Sequence, residues 1–87
     1  MLGDFWTLAI IQALNPDGKR FAQLQRELIG VNPTTLTSRL KKLEKQGMIK
    51  REEETVDKLS VVYSLTRKGS GILPILTEIR LFADKFL

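Results

Sequence analysis

Asn32 with Pro33 at one end and Gly47 at the other enclose a segment that reads as one helix with two unlike faces. The Asn side chain suits an N-cap, Pro is pre-set for the first helical turn, and Gly suits the left-handed residue that ends many helices. Wound at about 3.6 residues per turn, Leu36, Leu40 and Leu43 form one stripe, while Thr34, Ser38, Lys41 and Lys45 fall opposite, with Thr35, Thr37 and Lys42 at the edges. Such a helix rests its apolar stripe on a core and offers hydroxyl and cationic groups outward.

The flanking segments supply that core. Phe21, Leu24 and Leu28 mark a short amphipathic helix that stops at Gly30, so 29–32 is a tight connection between two helices. Ahead of it, 5–14 reads as a helix capped by Asp4 and followed by the turn-forming Asn15, Pro16, Asp17 and Gly18. Phe5, Trp6, Leu8, Ile10, Ile11 and Leu14 surround that helix almost completely, which predicts contacts on more than one side. Beyond Gly47 the pattern becomes strand-like over 48–53 and 59–65, with Val61, Val62 and Tyr63 in the second run and the polar stretch 54–58 as a hairpin loop. Thr66 is the expected N-cap of a last helix running to the C-terminus, with Gly69 and Gly71 weakening its first turn and Pro74 kinking it. Ile72, Leu73, Ile75, Leu76, Ile79, Phe82, Ala83, Phe86 and Leu87 cover about half of its circumference, more than the stripe of about 100° that packing on one domain requires.

The order is helix, short helix, turn, basic helix, two-stranded hairpin, helix. This is an α+β, mostly helical arrangement: a single winged helix-turn-helix domain over residues 1–87, with the hairpin as its wing and a C-terminal dimerisation helix. Charge agrees with a polyanionic partner. The net charge is +4, and residues 32–51 hold Arg39, Lys41, Lys42, Lys45, Lys50 and Arg51 against Glu44 alone. A helix-turn-helix buries one side of its second helix and presents short polar and cationic side chains to base edges and phosphates. The expected partner is therefore double-stranded DNA. A dimer would set two recognition helices about 34–36 Å apart on a pseudo-palindrome.

Other classes lose their usual parts. The chain has neither cysteine nor histidine, which removes disulfides, thiolate zinc sites and the commonest general base and metal ligand. No catalytic residue, cofactor or metal site is expected. No apolar run approaches the roughly 20 residues of a membrane span, and 1–4 lacks the basic start of a signal peptide, so a cytoplasmic location is expected. Gly69, Ser70 and Gly71 lack the strand and the Lys-Ser/Thr order of a phosphate loop.

The sequence from 6 to about 76 resembles the HxlR-type winged helix-turn-helix transcription regulators, a family similar to the broader MarR-like group. The resemblance rests on W-T-L at 6–8, K-R-F-x-x-L at 19–24, L-T-S-R-L-K-K-L-E-K-Q-G at 36–47, Y-S-L-T-R-K-G at 63–69 and L-P-I-L at 73–76. It implies that Thr34, Thr35, Thr37, Ser38, Arg39, Lys41 and Lys42 belong to the recognition helix, which also carries Lys45, and that 51–60, with Arg51 and Lys58, is the wing. It also places dimer contacts on the first and last helices, at Phe5, Trp6 and Ile10 and at Ile72, Ile75, Ile79, Phe82 and Phe86. Two departures carry expectations of their own: without cysteine no thiol sensing is expected, and Glu52, Glu53, Glu54 and Asp57 make the wing acidic, so its tip is not expected deep in a groove.

Each feature has a plainer reading. The lysines of the basic helix could form a solvated face, and the outer helices could be spent on the domain's own core. The wing carboxylates could weakly hold a hard cation or simply be an exposed loop. Arg39 lies toward the buried stripe, where an ion pair with Glu27 or Glu44 competes with a phosphate contact. The alternative function is a winged helix that binds an acidic protein and not DNA.

Overall fold

The computed structural model describes residues 5–53 and 60–87. Among the described residues seven elements follow one another: α1 (Phe5–Ala13), α2 (Phe21–Glu27), α3 (Pro33–Lys45), β1 (Ile49–Glu53), β2 (Val61–Leu65), α4 (Arg67–Ser70) and α5 (Leu73–Phe86). The proposed cap at Asp4, Lys58 and the hairpin tip with Glu54 and Asp57 lie outside the described residues.

The first three helices assemble around leucine and isoleucine. Ile10, Ile11 and Leu14 from α1 and its end meet Leu24 and Leu28, Val31, the α3 stripe Leu36, Leu40 and Leu43, and Met48, Ile49 and Leu76. The stripe read from the sequence is thus the side of α3 that faces the core. The ends of α3 explain why the helix occupies just this span. Asn32 Oδ1 accepts the Thr35 N–H at 2.7 Å, with Pro33 in the first turn. At the far end Gly47 N–H donates to Glu44 O at 3.0 Å and Met48 N–H to Leu43 O at 2.9 Å, a Schellman ending closed by the buried pair Leu43 and Met48. This ending needs a positive φ, and Gly47 has φ +75°.

β1 and β2 pair antiparallel in the register Ile49 with Leu65, Arg51 with Tyr63 and Glu53 with Val61. An isolated bridge extends the pair: Lys19 N–H donates to Tyr63 O and Tyr63 N–H to Lys19 O, both at 2.8 Å. The segment before α2 is therefore fastened to β2, a contact between parts of the chain too distant for sequence pattern to reveal.

Two expectations need correction. The last helix is not continuous from Thr66: Thr66 caps the short α4 by accepting the Gly69 N–H at 3.1 Å, the chain breaks at Gly71, and α5 starts at Leu73. Pro74 consequently lies in the first turn of α5, where its missing N–H costs nothing, and does not kink a helix interior. Ile10, expected at a dimer contact, is 0% exposed inside the domain's own core. An all-round apolar helix does not reveal from its sequence which side its own domain takes.

Candidate DNA-binding face

Capping positions the face. Because Asn32 and Pro33 fix the first turn of α3, Thr34 and Ser38 are held one turn apart, followed by Lys41 and Lys45, all exposed. Pro33, Thr34, Thr37, Ser38 and Lys41 line a shallow, open depression along the helix. Its hydroxyls both donate and accept, so they suit base edges, and the ammonium groups toward the C-terminal half suit phosphates. Lys42 is exposed at the edge. Thr35 and Arg39 are half-buried; the Thr35 backbone is taken by the cap, and Arg39 is engaged in an interaction of its own. Glu27, one of the two acids weighed for Arg39, accepts from Lys19 Nζ at 2.8 Å.

The cap has a measurable worth. Asn32→Ala is expected to lower stability by about 1 kcal/mol, because the Thr35 N–H loses its acceptor. Urea unfolding should show a lower midpoint with an unchanged slope, and an unmoved midpoint would mean that the cap does not hold the helix start.

Sequence reasoning overlooked a second basic surface. Arg20, Ala22, Gln23 and Arg26 line a depression on α2, and Gln23 Oε1 accepts the Arg20 N–H at 2.9 Å. The signal was present: Gln23 and Arg26 fall on the side of the helix away from Phe21, Leu24 and Leu28, and Arg20 stands at its start. On the wing side, Arg51 is exposed on β1, beside an exposed ion pair between Lys50 and Glu52 at 2.9 Å.

Away from this face, α5 buries Leu76 and leaves Ile75, Ile79, Phe82 and Phe86 between 58% and 64% exposed. The rings of Phe82 and Phe86 lie 4.9 Å apart. Ile79 also borders a groove between α1 and α5, lined by Phe5, Leu8, Ala9, Leu76 and Ala83. Phe5 is 71% exposed and stacks edge-on against the half-buried Trp6 at 5.0 Å. Ile72 is half-buried against the core.

The whole sequence, residues 1–87, matches the HxlR-like helix-turn-helix family. The chain belongs to that family. Relatives of the HxlR-like chain include an uncharacterised HTH-type transcriptional regulator of Halalkalibacterium halodurans, 40% identical over 91% of this chain and 71% of its own length. The HTH-type transcriptional regulator YodB of Bacillus subtilis is 30% identical over 99% of this chain and 77% of its own. Among solved structures, a MarR-family transcriptional regulator from Porphyromonas gingivalis superposes with a TM-score of 0.89 at 34% identity, covering 99% of this chain and 84% of that one. Reduced YodB superposes with a TM-score of 0.86 at 30% identity, over 98% and 83% of the two chains. The winged helix-turn-helix reading is borne out, and the HxlR-like chain is a DNA-binding transcriptional regulator. Among the described residues no helix is long and apolar enough to cross a membrane.

Proposed function

We propose that the chain regulates transcription by binding a pseudo-palindromic duplex as a homodimer, with no catalytic step. The observation that carries this reading is the exposed α3 face, where capped geometry aligns Thr34 and Ser38 with Lys41 and Lys45. Thr34, Thr37 and Ser38 approach base edges in the major groove. Lys41, Lys42 and Lys45 neutralise phosphates, with Thr35 and Arg39 supporting from the buried side. Arg51 reaches the backbone from the base of the wing. Two copies meet through α1 and α5, where Phe5, Ile75, Ile79, Phe82 and Phe86 are exposed in one protomer. Ile10 takes no part in that contact, and Trp6 and Ile72 contribute only their uncovered edges. An apolar surface of this extent on so small a domain favours a partner that covers it. Residues 1–87 carry no cysteine, so any signal read by this segment acts without a thiol of its own.

Fluorescence anisotropy on duplexes from the upstream region of the gene, against a scrambled duplex, tests the proposal. Tighter binding to one upstream duplex is expected, with affinity falling by about 0.9 log units per log unit of salt for each phosphate neutralised. Light scattering is expected to give twice the chain mass. Equal affinity for all duplexes would overturn sequence reading, and a monomeric mass would overturn the dimer.

A further inference from the structure

Three consecutive carbonyls leave the end of α3, those of Gln46, Gly47 and Met48, and all three are taken by the short segment that leads into α5. Lys68 Nζ donates to Gln46 O at 2.9 Å. The Thr66 hydroxyl donates to Gly47 O, and the Thr66 N–H donates to Met48 O at 3.1 Å. Gly69 approaches from the same side so closely that a Cβ there would lie 1.9 Å from Met48 O.

The connection onward has no slack. Gly71 N–H reaches Arg67 O and Lys68 O, each at 3.2 Å, and Ile72 N–H reaches Gly69 O at 3.3 Å, after which α5 begins. The end of the recognition helix is thus hydrogen-bonded to α4, and α4 runs directly into the helix with the exposed apolar face.

We infer that Thr66, Lys68 and Gly69 form a clasp that fixes the angle between α3 and α5, and so sets the distance between the two recognition helices of a dimer. The inference rests on the dimeric reading above. These are positioning residues: they act through the α3 terminus and need not touch DNA. A dimer reads two half-sites at once only when both helices are presented at the matching separation. If the competent angle is populated a tenth of the time, two-site affinity falls about tenfold, while binding to a single half-site is unaffected.

The experiment uses a duplex selected from a random library by the wild-type protein, a single half-site cut from it, and versions with the centre lengthened or shortened by one or two base pairs. Thr66→Val removes the hydroxyl hydrogen bonds, and Lys68→Gln removes the ammonium at the α3 end without touching the packing. For both variants we expect an unchanged dimer mass, half-site affinity within about twofold of wild type, and a spacing preference flattened by about tenfold. A direct phosphate contact by Lys68 would instead lower half-site affinity and the salt slope together, and would overturn a positioning role for that residue. Wild-type spacing preference in both variants would overturn the clasp. Should Thr66→Val fail to fold, Lys68→Gln carries the same comparison. A monomeric wild-type protein, or a selected site without two halves, would instead overturn the dimeric reading and the clasp with it.

Discussion

Among the described glycines, Gly69→Ala is expected to be the most damaging substitution by alanine, lowering stability by about 3 kcal/mol, the upper part of the range for overpacking. The Cβ would lie 1.9 Å from Met48 O and 3.0 Å from Met48 C, and both are backbone atoms with no rotamer by which to retreat. Relief requires α4 to move off the end of α3, which breaks the bonds from Thr66 to the carbonyls of residues 47 and 48. For a chain of 87 residues a destabilisation of this size lowers Tm by about 12–24 °C. Gly71→Ala supplies the control, since its Cβ would meet nothing nearer than Lys68 O at 3.3 Å. Thermal melts that drop equally for the two variants would show that the close approach at Gly69 is not what matters.

Neutralising Lys41 and Lys45 together is expected to weaken specific DNA binding by about 100-fold at low salt, at about 1.5 kcal/mol for each ammonium–phosphate hydrogen bond removed. Both side chains are exposed on the outward face of α3, one turn apart, so Lys41→Gln with Lys45→Gln leaves the core intact and the melting curve almost unmoved. The salt dependence identifies the mechanism. If each lysine neutralises one phosphate, the slope of log affinity against log salt becomes shallower by about 1.8. An unchanged slope would mean that the lysines are only a solvated face, and weakening confined to one DNA sequence would assign them to base edges instead.

What the sequence disclosed, and what it concealed, follows from how far apart the interacting groups lie along the chain. The limits of α3 were legible because both are local chemistry: Asn32 reaches Thr35, and Gly47 closes onto Glu44. The face opposite Leu36, Leu40 and Leu43 followed from helical period alone. α1 and the C-terminal segment were less legible. Where nearly every position is apolar, period cannot separate Ile10, which the domain itself buries, from Phe5, which it leaves exposed. The break at Gly71 was hidden for a different reason. Gly69 and Gly71 suggested a weak first turn, but the stop is imposed by the packing of α4 against Met48, a contact across the strands. The basic surface of α2 was visible in the placement of Arg20, Gln23 and Arg26, but the denser charge of 32–51 masked it.

The reciprocal hydrogen bonds between Lys19 and Tyr63 join a residue before α2 to one in β2, so α2, α3 and β1 all lie within a single closed loop of chain. The contacts within a helix are local and form far faster than distant strands meet, because a long loop must close before its ends gain anything from touching. α3 can therefore acquire its winding early, from its own caps at Asn32 and Gly47, before the two ends of the loop find each other. The winding of this helix and its placement in the domain are thus specified by different contacts: the first by neighbours in sequence, the second by groups far along the chain.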